Sequence, residues 1–116
     1  MDKVNIFLDD CRLTPNGYVR TYTVEETIEL LIRFKGNIGI LSLDNDLGEG
    51  LQEGYMVTEW LEKQYLLNDF PLPDKVIPHT MNPIAMNRMN LIIDKLYRGK
   101  WNENLWYFWE DWWYVL

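Results

Sequence analysis

Ile38-Gly39-Ile40-Leu41-Ser42-Leu43 runs directly into Asp44-Asn45-Asp46-Leu47-Gly48. The first six residues are apolar nearly throughout, which predicts a strand buried on both faces, as in a parallel sheet with covering helices. The acidic, glycine-ended stretch after it predicts a loop at the carboxyl end of that strand, where open α/β sheets bind ligands. Upstream, Thr23 followed by Glu26 reads as a capping box opening a helix. Ile28, Leu31 and Ile32, with Thr27, share one face of it, and Gly36 closes it. Downstream, the glycine-rich loop Gly48 to Gly54 leads into a helix over Tyr55 to Leu67 with Val57, Trp60, Leu61 and Tyr65 as its apolar stripe.

Two flanking units repeat this pattern. Val4-Asn5-Ile6-Phe7-Leu8 is a short apolar run cut off by Asp9-Asp10, and Tyr18 to Tyr22 is a β-rich alternating run after the Pro15-Asn16-Gly17 turn. Lys75-Val76-Ile77-Pro78 is a fourth strand, with Pro78 confining it to an end or edge position. His79-Thr80-Met81-Asn82-Pro83 follows, and Pro83 suits the first turn of a helix to Arg98, before Gly99. Strands alternating with helices predict an α/β domain with a mainly parallel sheet. The connection between the first two strands is too short for an ordinary helical crossover, so that helix is missing or the second strand is placed differently. The domain is expected over residues 1–100. Residues 101–116 form an aromatic extension that is expected to pack on the domain or at an interface, through Trp106, Trp109, Trp112 and Trp113 in a homodimer or with a protein partner.

With 116 residues the chain fits one domain. No stretch has the roughly 18 apolar residues of a membrane span, and the start lacks the features of a signal peptide, so a cytoplasmic location is expected. A net charge of −7 argues against bulk nucleic-acid binding, although a cation can bridge acidic groups to a single phosphate. The single cysteine, Cys11, excludes an internal disulfide and reads as an incidental thiol.

Three strand ends carry the chemistry: Asp9 and Asp10, Asp44 and Asp46, and His79 with Thr80. Two like charges about 4 Å apart repel by roughly 4 kcal/mol at an effective dielectric near 20, so gathered carboxylates call for a proton or a cation. Asp9, Asp10 and Asp44 are the candidate ligands of a hard divalent ion, Mg²⁺ or Mn²⁺, which suits phosphate chemistry. Asp46 serves equally well as a turn residue. A calcium-loop reading of Asp44 to Tyr55 fails because Tyr55 stands where the twelfth-position Glu belongs. His79 is a candidate general acid or base, or a donor to a phosphate oxygen, beside Thr80 and Asn82. Arg12 and Arg88 are candidate phosphate contacts that read equally well as solvated surface charges.

Leu8-Asp9-Asp10-x-Arg12, Val19-Arg20-Thr21, Leu43-Asp44-Asn45-Asp46-Leu47-Gly48, Gly54-Tyr55 and His79-Thr80-x-Asn82-Pro83 with Arg88-Met89 together resemble the cyclic-phosphate processing receiver family over about residues 3–95. That family usually has Asp-His-Asp-Leu where Asn45 stands and His-Ser-x-Asn-Pro where Thr80 stands. The resemblance implies a receiver-like (flavodoxin-like) three-layer sandwich, with Asp9 and Asp10 as a metal pair and Asp44 as phosphoacceptor or third ligand. It implies processing of a cyclic phosphate, with Thr80 matching the receiver Thr or Ser after the fourth strand. For a cyclic phosphate on a nucleotide or RNA end, the reading expected from the residues has Asp44 and His79 as the catalytic pair and Thr80, Asn82, Arg88 and Arg12 toward the phosphate. The receiver lysine after a fifth strand has no match here, which weighs against a phosphorelay role. The alternatives are a phosphoacceptor receiver and a non-catalytic nucleotide- or protein-binding module, such as a phage or mobile-element inhibitor.

Overall fold

The structure is a computed structural model that describes residues 2–98. The aromatic extension and its four interface tryptophans lie outside the described residues. The elements are β1 (Val4–Leu8), β2 (Tyr18–Thr21), α1 (Val24–Arg33), β3 (Ile38–Leu43), α2 (Tyr55–Asn68) and β4 (Lys75–Pro78), followed by α3 (residues 83–98). The four strands form one sheet in the order β2-β1-β3-β4, and every neighbouring pair is parallel. Pro78 sits at the end of the edge strand β4, where its missing N–H costs no ladder bond. This is the parallel α/β arrangement that the alternating pattern predicts and the receiver-like one that the resemblance implies.

The short first connection resolves as a missing helix. Residues 9–17 contain only bends and a turn, closed by the Tyr18 N–H on the Pro15 carbonyl at 3.3 Å, with Gly17 at φ 86°. Arg20 ties this connection down from β2. Its Nε donates to the Asp9 carbonyl at 2.7 Å, and its Nη1 donates to the Arg12 carbonyl and, at 2.9 Å, to Thr14 Oγ1. One half-buried charged side chain thus does the positioning that a crossover helix ordinarily does.

The core is a single cluster. Ile6, Leu8, Leu41, Leu43 and Val76 from the strands meet Val24 and Leu31 of α1, Val57 and Leu61 of α2, and Met89, Leu96 and Tyr97 of α3. Ion pairs Arg88–Glu59 and Lys95–Glu62 join α3 to α2 at its rim. The N-cap at α1 forms as expected: Thr23 Oγ1 accepts the Glu26 N–H at 3.2 Å, and the Glu26 carboxylate lies 3.2 Å from the Thr23 hydroxyl. The buried face of α1 differs from the expected one. Ile32 is 56% exposed, and the inward stripe is Val24, Thr27 and Leu31, the i, i+3, i+7 set. Thr27 is drawn inward because its hydroxyl meets that of Thr21 on β2 at 2.7 Å. On α2, Val57 and Leu61 are buried while Trp60 and Tyr65 pack only partly against the core.

The start of α3 is held by Asn82, whose Oδ1 accepts the N–H groups of Ile84 and Ala85, both at 3.1 Å. Asn82→Ala is expected to cost about 1 kcal/mol of stability, the usual scale for a lost N-cap, in a urea unfolding curve.

Candidate functional site

β1, β3 and β4 are neighbours in the sheet, so their carboxyl ends lie side by side. The ladder continues one residue past each strand. Asp9 N–H donates to the Thr21 carbonyl, Asp44 N–H to Leu8 and His79 N–H to Leu43, at 3.1, 2.9 and 2.8 Å. Asp9, Asp44 and His79 are therefore held by sheet geometry, and each offers a ligand atom within 4.8 Å of the other two.

Asp9 is completely buried. Its Oδ1 accepts the N–H groups of Cys11 and Arg12 at 2.8 and 2.9 Å, and its Oδ2 lies 2.9 Å from His79 Nε2. Burial alone would push this carboxyl up. The N–H groups of Arg12 and Cys11 and the contact with His79 outweigh it and hold Asp9 below the usual carboxylate range. Asp9 is thus a charged acceptor at neutral pH.

That charge fixes the proton on His79. An ionised carboxylate only accepts, so Nε2 carries a hydrogen and donates it to Asp9. The other ring nitrogen, Nδ1, lies 2.7 Å from Ser42 Oγ and, in the neutral ring, accepts the serine proton. Phe7 stacks flat on the imidazole, with centroids 4.5 Å apart and planes at 3°. Ser42→Ala is expected to cost about 1 kcal/mol through the lost hydrogen bond while leaving the Nε2–H tautomer unchanged. Because the chain has one histidine, imidazole ¹⁵N shifts check this without assignment, and an Nδ1–H tautomer in either protein would contradict it.

Asp44 is the less satisfied carboxyl. Its Oδ1 accepts the Asn45 N–H at 2.8 Å, and its second oxygen has no partner among the described residues. Burial pushes its pKa up against that hydrogen bond. The negative charges of Asp9 and Asp10 push it further, and His79 opposes them. Asp10 is exposed and falls outside the group of three, acting on Asp44 through its charge. Asp46 is exposed as well, and its Oδ1 accepts from Asn45 Nδ2 at 3.3 Å.

Asn45 organises the loop between β3 and α2. It is fully buried; its Oδ1 accepts the Tyr55 N–H at 3.1 Å, and its carbonyl accepts the Gly54 N–H at 2.8 Å. Of the four residues expected toward a phosphate, Arg12 lies against the site, with Nε 3.9 Å from Asp9 Oδ2. Thr80 is buried, and its Oγ1 accepts the Asn82 N–H at 3.1 Å. Asn82 caps α3. Arg88 stacks 3.8 Å over the Tyr55 ring and pairs with Glu59 at 3.2 Å, which couples it to α2.

A family model of the cyclic-phosphate processing receiver domain matches residues 4–95. The chain belongs to that family. No curated protein and no solved structure matches it. The matched span of this cyclic-phosphate processing receiver domain takes in all four strands and every residue of the Asp9–Asp44–His79 group. No helix of the described residues is long and apolar enough to cross a membrane.

The site contains groups that motif reading passes over. Ser42 is the one hydroxyl in an otherwise apolar strand, two residues before Asp44, and period-2 alternation puts both on one face. Phe7 stands in the same relation to Asp9. A polar residue inside a buried strand was the available signal for Ser42; for the stacking of Phe7 on His79 there was none, because it depends on the strand order.

The donor set fits a divalent cation. Two carboxylates and the nearby Asp10 outnumber the single imidazole, and burial together with the charges of Asp9 and Asp10 pushes the Asp44 pKa up. Hard carboxylate oxygens in that surplus match Mg²⁺ or Mn²⁺.

Proposed function

We propose that the domain hydrolyses a cyclic phosphate on a nucleotide or an RNA end in a metal-dependent reaction centred on Asp9, Asp44 and His79. The observation that carries this reading is the convergence of those three side chains at the carboxyl edge of a parallel sheet, in a family defined by cyclic-phosphate processing. Asp9 and Asp44, with Asp10 beside them, would hold a Mg²⁺ or Mn²⁺ ion, which supplies charge neutralisation at the phosphate oxygens.

The chain's own groups divide the proton work. Opening a cyclic phosphodiester adds water across one ring P–O bond, so the water loses a proton and the departing oxygen gains one. Asp44, with a free oxygen and a raised pKa, is suited to accept the first proton. His79 is suited to supply the second from Nε2 when its ring is doubly protonated, with Asp9 holding the ring in place and Ser42 Oγ then accepting from Nδ1–H. A positioned acid or base of this kind contributes about 10²–10⁴-fold. Arg12, with Nε 3.9 Å from Asp9 Oδ2, offers a guanidinium for the phosphate.

One observation favours a second reading, a binding module without turnover: both nitrogens of His79 already have partners. One experiment separates the two. The protein is incubated with 2′,3′-cyclic nucleotides and Mg²⁺ or Mn²⁺ and the ³¹P signal is followed. Metal-dependent conversion to a phosphomonoester is expected. Binding without conversion under either metal would overturn the hydrolase reading in favour of the binding module.

A further inference from the structure

Only one face of the sheet is covered by the described helices. The register pairs Phe7 with Arg20 and Ser42, Ser42 with Ile77, Asn5 with Tyr18 and Ile40 with Lys75, so these side chains share the face opposite Ile6, Leu8, Leu41 and Leu43. Val24 and Leu31 of α1, Val57 and Leu61 of α2, and Met89, Leu96 and Tyr97 of α3 all join the cluster on the Ile6–Leu8 side. The other face is mixed: Phe7 and Ser42 are buried, Tyr18, Arg20, Ile40 and Ile77 are partly exposed, and Lys75 is exposed. Parallel sheets are ordinarily covered on both sides.

We infer that residues 99–116 of the same chain are the occupant of this second face, seated over Phe7, Ile40 and Ile77 as the missing layer of the sandwich. Three observations select this segment. Its composition is that of a covering layer: Trp101, Leu105, Trp106, Tyr107, Phe108, Trp109, Trp112, Trp113, Tyr114, Val115 and Leu116 are apolar or aromatic. It starts at the right place. The Tyr97 hydroxyl in the last turn of α3 donates to the Pro73 carbonyl, just before β4, so the chain leaves α3 at the amino edge of the sheet. At about 3.3 Å per residue these residues reach up to roughly 60 Å, against about 20 Å for a strand the length of β3. Charge agrees as well: Glu103, Glu110 and Asp111 outnumber Lys100 in the segment, and the face carries Arg20 on one edge strand and Lys75 on the other. Seated there, the segment also covers Ser42 and the Phe7 ring that supports His79.

Trp60→Phe gives a full-length chain in which every tryptophan lies in 101–116, so its emission reports the segment alone. The expected result is blue-shifted emission that does not change on dilution of a monomer. Ile40→Asp, added on the sheet face, shifts emission to the red and raises acrylamide quenching several-fold while the helical circular dichroism stays intact. Emission unmoved by Ile40→Asp overturns the inference, and so does a blue shift that disappears on dilution together with a dimer mass, which would place the segment on a second copy. Should Ile40→Asp lose its helical signal, zero-length carbodiimide coupling of the unmodified chain decides. A Lys75 link to Glu103, Glu110 or Asp111 within one monomer supports the inference, and tail links confined to the helix layer or to another chain refute it.

Discussion

Asp44→Asn is expected to yield a chain that is more stable than the parent in the absence of metal and that opens cyclic phosphates on the order of 10²–10³-fold more slowly, the scale of losing one charge-stabilising group from a reaction centre. The two effects share one cause. Burial and the charges of Asp9 and Asp10 raise the Asp44 pKa in the folded chain. Between its unfolded and folded values, the folded state holds a proton that the unfolded state has lost, so stability falls as pH rises. Above the folded value the full cost of the charge is present. The Asn side chain never carries that cost and can still accept the Asn45 N–H through its amide oxygen. The stability gap between variant and parent is therefore absent at acid pH and largest at neutral pH. Asp9 behaves oppositely: its lowered pKa gives stability that is present above the unfolded value and lost as pH falls through the folded one. Added Mg²⁺ should raise the melting temperature of the parent and leave Asp44→Asn nearly unmoved, as linkage requires for a ligand the variant binds poorly. Thermal melts from acid to neutral pH, with and without Mg²⁺, measure all of this.

Gly54→Ala is the second large effect, and it is steric. A Cβ at Gly54 would stand 1.7 Å from the Asp44 carbonyl oxygen and 2.8 Å from its carbon, both backbone atoms that cannot rotate away. The loop from Asp44 must move for alanine to fit, and that breaks the Gly54 N–H bond to the Asn45 carbonyl. A cost upward of about 3 kcal/mol is expected, at the top of the range for forcing atoms into a packed region. Site geometry should suffer with it, because Asp44 is carried by the displaced segment. Urea unfolding of Gly54→Ala checks the stability, and metal affinity checks the site. A variant with parental stability would show that the close approach of Gly54 to Asp44 is wrong.

The strand ends were readable because an apolar run that stops at an acid or a histidine marks a buried strand meeting its ligand edge. That rule finds Asp9, Asp44 and His79, and it finds the missing crossover from the shortness of the Asp9–Gly17 connection. It does not distinguish Asp9 from Asp10. β1 is apolar on both faces, so alternation alone does not say which of the two carboxyls continues the Phe7 face toward His79. The burial of α1 was misjudged at Ile32 for a related reason. Hydropathy favours isoleucine over threonine, but the Thr21 hydroxyl across the interface gives Thr27 a partner and turns that side chain inward. Arg88 and Asn82 read as phosphate contacts in the motif; what the motif does not show is that Arg88 also meets a ring and a carboxylate on α2 and that Asn82 caps the first turn of α3.

The metal assignment rests on a cluster that contains the chain's only histidine, and this gives a direct test. Mn²⁺ titrated into the protein at substoichiometric ratios should broaden the His79 imidazole resonances first, since His79 offers a ligand atom within 4.8 Å of those of Asp9 and Asp44, and Asp44→Asn should abolish the broadening. Broadening that spares His79, or that persists unchanged in Asp44→Asn, would contradict a metal centre at Asp9 and Asp44.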